Sequence, residues 1–307
     1  MSKQLEEIRK KIDAIDDKVH DLLMERASLV AGVAAEKKKN NMQVVQPARE
    51  AKMIRRLLAR HKGPLPEAAV VSIWRELVGA VSLLQTGLNV AVMATGEDYR
   101  CWDMARDYFG SVLPMKKVSS PQAAIAAVRD GSVSFAVLPW PDDTDEKPWW
   151  PVMLNTEGGQ MRVVCALPYG RGEGENSGAR GRALVVSKVD FKSSDDDRSF
   201  IALELDPSVS RGKISDVLKG IGLETLSLNT QSGAKQGVPS LHLAEVSDFV
   251  AEDDVRLEEI KARFGELCLR AVALGGYPAI PVFKSVVIQQ EGQSAPKIKD
   301  SKKNAHV

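Results

Sequence analysis

Apolar residues recur at Leu5, Ile8, Ile12, Ile15, Val19, Leu22, Leu29 and Val33, and this alternating three/four spacing predicts one amphipathic helix over residues 4–39. The stretch holds no Pro and a single Gly, Gly32, which weakens a helix without breaking it. Asn40-Asn41 ends the pattern. Pro47, a good first-turn residue, opens a second helix that carries Met53, Ile54, Leu57 and Leu58 and stops at Gly63-Pro64. A third runs from about Glu67 to Leu88, with Val70, Ile73, Leu77, Val81, Leu84 and Leu88 on one face. A helix of about 35 residues spans about 50 Å, more than the two shorter ones can cover. Its stripe should therefore stay partly bare within one chain, which predicts a partner subunit, most simply in a two-fold homodimer.

After Leu88 the pattern changes. A short strand at Leu88–Met93, helices at Tyr99–Phe109 and Gln122–Arg129, and a strand at Ser134–Leu138 predict a small α/β lobe. Residues 139–151 are rich in Pro and Trp, and strands follow at Met161–Leu167 and Ala183–Val189. Between these lies "GRGEGENSGARG" (170–181), which fits neither the Walker A spacing nor G-x-G-x-x-G and reads as a flexible loop. A polar joint at Lys192–Arg198 precedes a unit of strand, helix, two strands, helix and strand over residues 199–284, the β-α-β-β-α-β order. Residues 289–307 are polar and lysine-containing, and are expected to be a disordered tail.

Two cations interrupt the first stripe. At about 100° per residue, Arg26 and Lys37 project from its centre, eleven residues and roughly 16 Å apart on one face. A buried cation without a partner costs several kcal/mol, and no acidic residue lies on that face beside Lys37. Snorkelling to water, or pairing with Glu25 or Glu36, is the plain alternative; an anionic ligand is the sharper one. On the second helix Glu50 falls in the apolar stripe with Arg49 at its edge, and on the third Gln85 borders the face beside Val81. Three helices thus direct Arg9, Arg26, Lys37, Arg49, Glu50 and Gln85 towards one helical core. Such a chamber suits a small dianion and could stabilise charge developing on a neutral oxygen.

Composition narrows the choice. Charge is nearly balanced, 42 Lys/Arg against 41 Asp/Glu, too even to argue for nucleic acid. Three widely spaced cysteines and four scattered histidines give neither a disulfide framework nor a zinc pattern. No Ser-His-Asp set or carboxylate pair is evident, which disfavours hydrolysis, and no metal or other cofactor is expected. The charged N-terminus and the lack of an 18-residue apolar run suggest no membrane span and a cytoplasmic protein.

These residues resemble a known family. The segments "LEEIRKKIDAIDDKVHDLLMERASLVAGVAAEKK", "QPAREAKMI" and "LLQ" are similar to the all-helical chorismate mutases, above all those that precede prephenate dehydratase in bifunctional enzymes. The spacing is specific: Ile-Arg-x-x-Ile-Asp-x-Ile-Asp, then Glu-Arg, Lys eleven further on, and Arg-Glu twelve after that. The resemblance implies an intertwined homodimer in which Arg9 enters the partner's pocket. Arg26 and Arg49 would hold the two carboxylates of chorismate with that arginine, Glu50 would accept from the ring hydroxyl, and Lys37 and Gln85 would donate to the ether oxygen. Gln46 and Val81 stand where relatives commonly have an acidic and a small hydroxyl residue, at the pocket's edge. The reaction implied is the Claisen rearrangement of chorismate to prephenate, without cofactor, in the biosynthesis of phenylalanine and tyrosine.

The chain is thus expected to be multidomain: an all-α mutase domain (1–88), a degenerate prephenate dehydratase-like α/β region (89–192), an α+β ACT-like unit (199–284) and the tail. In the middle region "MATGEDY" replaces the Gly-Pro-x-Gly-Thr-Phe-Ser signature. Gly181-Arg182-Ala183 replaces the catalytic Thr-Arg-Phe, so dehydration is expected to be absent. "LNTQSG" stands in for the segment that binds phenylalanine in relatives, leaving an aromatic amino acid a candidate effector. Two rivals remain: a bifunctional enzyme using Thr95 or Thr156, and a non-catalytic dimeric amino-acid sensor.

Overall fold

A computed structural model describes residues 3–39, 45–175, 178, 181–233 and 237–284, with backbone alone at 31, 33–39 and 86. The Lys37 side chain, the Asn40-Asn41 stop and the expected tail at 289–307 lie outside the described residues. The helical part comprises α1 (Lys3–Lys39), α2 (Pro47–Arg60) and α3 (Glu67–Thr86). Its ends follow the sequence signals: Pro47 sits in the first turn of α2, and Gly87, at φ 62°, closes α3 by donating its N–H to the Leu83 carbonyl at 2.9 Å. Every residue from 3 to 22 is exposed, so the front of α1 is an arm whose apolar stripe is left largely uncovered by the described residues.

The α/β part follows with β1 (Val90–Met93), α4 (Arg100–Phe109), β2 (Met115–Val118), α5 (Pro121–Arg129), β3 (Phe135–Pro139), β4 (Arg162–Leu167), β5 (Arg171–Gly172) and β6 (Ala183–Ser187). Next come β7 (Asp197–Leu205), α6 (Arg211–Gly220), β8 (Thr225–Gln231), β9 (Ser240–Val246), α7 (Val255–Phe264), β10 (Cys268–Pro278) and β11 (Val282–Phe283). Ser120 and Ser210 cap α5 and α6 by accepting from the N–H three residues on, at 3.2 Å each. The last six main elements keep the β-α-β-β-α-β order read from the sequence.

Nine strands form one mixed sheet, β2-β1-β3-β6-β4-β10-β7-β9-β8. The two stretches read separately in the sequence therefore share a sheet, joined where Gly275 of β10 pairs with Val163 of β4. Gly275 has φ 83°, and a Cβ there would stand 2.2 Å from the Val163 carbonyl oxygen, so only glycine lets these strands meet. Helix α4 covers one face through Ala105, Tyr108 and Phe109, and α5 covers another with Trp140, Trp149 and Trp150, all buried. The tryptophan segment is core: the Trp149 indole donates to the Pro139 carbonyl at 3.0 Å. Helices α6 and α7 bury Ile214, Leu218, Leu257 and Ile260 against β7–β10.

The α3 face read from the sequence is only partly the one the chain buries: Val70 and Leu88 are buried as expected, but the buried row turns towards another side. Ile73 and Leu84 are exposed, whereas Val71, Arg75 and Gly79 are buried. The reason is α4, against which α3 packs. A Cβ at Gly79 would lie 1.8 Å from the Phe109 carbonyl oxygen, so the missing side chain sets how closely the two helices approach. Glu76 reinforces the contact by accepting from the Ser111 N–H at 2.8 Å and its hydroxyl at 2.6 Å.

Candidate active site

A cavity of about 530 Å³ opens where α1, α2 and α3 meet, lined by Arg26 and Val30 of α1, Gln46, Arg49, Glu50, Lys52, Met53 and Arg56 around α2, and Val78, Val81, Ser82 and Gln85 of α3. Six of the eight residues singled out from the sequence are in that lining: Arg26, Gln46, Arg49, Glu50, Val81 and Gln85. The helical spacing accounts for it, since Gln46, Arg49, Glu50 and Met53 recur at three and four on one side of α2. Arg9 is exposed on the bare arm, 17 residues and about 25 Å of helix before Arg26. It does not join this cavity within one chain. Lys37 follows Arg26 along the same helix.

The cavity is electropositive. Among the described residues its lining has Arg26, Arg49, Lys52 and Arg56 against one carboxylate, Glu50. Lys52 pairs outward with Asp195 at 2.8 Å, and Arg55 donates to the Ser194 carbonyl, so α2 is docked on the turn before β7. The Gln85 amide donates to the Val30 carbonyl at 3.1 Å, tying α3 to α1. An amide carries two N–H donors, which leaves one for a ligand.

Glu50 is held from behind. Arg75, 3 % exposed, donates from Nη1 to Glu50 Oε2 at 2.8 Å and from Nε to the Tyr108 carbonyl at 2.7 Å. Its guanidinium lies 3.8 Å from the centroid of the Tyr108 ring and 5.2 Å from that of Tyr169. Burial works against this charge, but Tyr108, Glu50 and Tyr169 outweigh it and the pKa of Arg75 is raised. Breaking such a buried pair by removing one partner costs about 3–5 kcal/mol. The same burial pushes the Tyr108 phenol up, and the neighbouring Cys165 thiol to about 12. Both are neutral at working pH and serve as packing.

Residues 8–86 match the family model of chorismate mutase type II. The helical part is a chorismate mutase domain. The bifunctional chorismate mutase/prephenate dehydratase of Aquifex aeolicus is 29% identical over 140 residues, 44% of this chain and 38% of that protein. That of Pseudomonas aeruginosa is 30% identical over 151 residues, 46% of this chain and 40% of that protein. The chain therefore spans about two fifths of the curated relatives it matches. A prephenate dehydratase of Arthrobacter aurescens, solved in complex with L-Phe, aligns with 63% of this chain and 90% of that one at 10% identity and a TM-score of 0.45. That likeness is too low to carry function.

Sequence reasoning missed Lys52, Arg56, Ser82 and Arg75 around this cavity. Arg56 follows Arg49 by seven residues, two turns along the same face of α2, and that spacing was there to be read. Ser82 places a hydroxyl in the lining beside Val81, the position where relatives commonly carry one. Arg75 sits four residues after Val71 and four before Gly79, a cation inside an apolar row, which is the signal that drew notice to Arg26 and Lys37.

Proposed function

We propose that the protein is a chorismate mutase that converts chorismate to prephenate by electrostatic stabilisation, with no cofactor. The observation that carries the reading is the convergence of Arg26, Arg49, Glu50 and Gln85 on one electropositive cavity inside a chorismate mutase domain. In this reading Arg26 and Arg49 hold the carboxylates, with Arg9 supplied by a second copy whose arm covers the bare stripe of α1. Glu50 accepts from the ring hydroxyl, which selects the compact conformer of the substrate. Lys37 and the free N–H of Gln85 donate to the ether oxygen as its bond to the ring breaks. Nothing in this scheme takes or returns a proton. The chain needs only to bind the transition state more tightly than the ground state. A millionfold acceleration requires about 8 kcal/mol, within reach of two donors at the ether oxygen plus conformer selection.

Incubation of purified protein with chorismate, followed by identification of the product, tests this. Prephenate alone is expected. Further conversion to phenylpyruvate would instead favour a bifunctional enzyme, and no turnover would remove the mutase reading. Titration with phenylalanine asks separately whether the region after residue 192 takes an aromatic amino acid.

A further inference from the structure

Arg75 touches the cavity only through Glu50. A carboxylate set among Arg26, Arg49 and Arg56 would, if free to swing, pair with one of them and neutralise a cation that a doubly charged substrate needs. We propose that Arg75 is a positioning residue, which grips Glu50 from outside the lining so that the carboxylate accepts from the substrate's hydroxyl and stays off the carboxylate-binding arginines. This rests on the mutase reading and deepens it.

The grip has the geometry for that task. Arg75 takes one oxygen of Glu50, Oε2, and leaves Oε1 for the ligand. The guanidinium is itself fixed by groups outside the mutase domain, the Tyr108 carbonyl and the rings of Tyr108 and Tyr169. A planar fork can satisfy a carboxylate and a carbonyl at once, which an ammonium cannot do in the same place. Gly79 and the Glu76–Ser111 hydrogen bonds press α3 onto α4 beside this contact. The α/β region thereby sets the orientation of a group in the helical cavity.

The test uses the full chain with Arg75→Met, Glu50→Gln and both together, measuring kcat and KM for chorismate beside thermal melting. Arg75→Met is expected to raise KM about tenfold, because the released carboxylate competes with substrate for arginine. Adding Glu50→Gln should bring KM back to within about twofold of Glu50→Gln alone, while kcat stays low. Removing a charge cannot repair lost packing, so a double variant with KM as high as that of Arg75→Met overturns the proposal. If Arg75→Met does not fold, Arg75→Lys serves in the same cycle: an intermediate KM, again restored by Glu50→Gln, is expected, and an unrestored KM overturns it. Tyr108→Leu, which keeps the carbonyl and loses the ring, should raise KM a few-fold; an unchanged KM removes the contribution of the Tyr108 ring. Wild-type protein without turnover would remove the mutase reading and this proposal together. Active wild type with an unrestored double variant removes only the proposal.

Discussion

The helical part and the nine-stranded sheet solve the problem of apolar surface in opposite ways. In the sheet, Ile201, Leu203 and Leu205 are fully buried between strands and helices of the same chain. In the arm, Ile12, Ile15, Leu22 and Leu29 are 51 %, 58 %, 63 % and 67 % exposed. In the sheet, buried Glu245 accepts from Ser227 at 2.8 Å and from the Tyr277 hydroxyl, and lies 3.7 Å from Arg182, whose guanidinium stacks on Trp140. In the helical cavity the cations outnumber their one carboxylate. A region that buries its own apolar side chains reads as scaffold. A region that leaves apolar side chains exposed and gathers cations around a cavity is built to receive something from outside, and the proposed reading supplies a dianion and a second copy.

The largest expected effect tests the cationic half of that contrast. Lys37→Ala should lower kcat by about a thousandfold, or about 4 kcal/mol of transition-state stabilisation, as for loss of a donor to a developing oxyanion. Melting should be unchanged, since Ala is the best helix former. A loss below tenfold would reject the role of that lysine. Next in size is Leu203→Ala in the sheet, which removes a fully buried side chain and should cost about 3 kcal/mol of unfolding free energy. Denaturant unfolding measures it, and a cost below 1 kcal/mol would mean the scaffold is looser than its burial implies.

Most of this was legible in the sequence where one period dominated. The α1 stripe, the Pro47 start and the outer β-α-β-β-α-β unit were readable because apolar spacing and caps agreed. What escaped reading depended on partners far along the chain. Strand β2, Met115-Lys116-Lys117-Val118, has a polar centre and exists because β1 pairs with it at the sheet edge. Arg171–Gly172, inside a stretch that reads as loop, pairs with Val282–Phe283 more than a hundred residues later. The α3 face was assigned only in part because the partner that buries Arg75 and Gly79 is α4, whose approach no local pattern announces. Six residues of the cavity lining were readable, but Lys52, Arg56 and Ser82 in the lining and the support by Tyr108 and Tyr169 were not.

A third expectation concerns pH and the sheet. His242 is 2 % exposed, its Nδ1 lies 3.0 Å from the Thr230 hydroxyl, and burial first, then Arg211, lowers its pKa to about 4. The unfolded chain takes up a proton near pH 6.5 that the folded protein refuses until about pH 4. Stability contributed by the neutral ring is therefore complete above pH 6.5 and lost as pH falls towards 4, by up to about 3 kcal/mol. Since carboxylates titrate in the same window, the readout is the difference between wild type and His242→Asn. The variant's stability should decline less between those limits, and parallel curves would dismiss the ring as the cause.

The smallest effect on unfolding is also the most discriminating, because it sets one region directly against the other. Ile15→Ser makes a change comparable in size to Leu203→Ala, but on a side chain 58 % exposed within the chain. If the arm meets only water, the cost should stay within about 0.5 kcal/mol and the mass in sedimentation should match wild type at every concentration. If a second copy covers the stripe, each apolar side chain along it contributes about 1–2 kcal/mol to association. Ile15→Asp, which would bury a carboxylate at that seam, should then shift a concentration-dependent dimer to monomer. Mutase activity should fall with the dimer, because the proposed reading has Arg9 enter the cavity from the partner's arm. A wild-type protein that sediments as a monomer throughout, yet turns over chorismate, would separate the two halves of the contrast: the cationic cavity would stand alone, and the bare stripe would need another explanation.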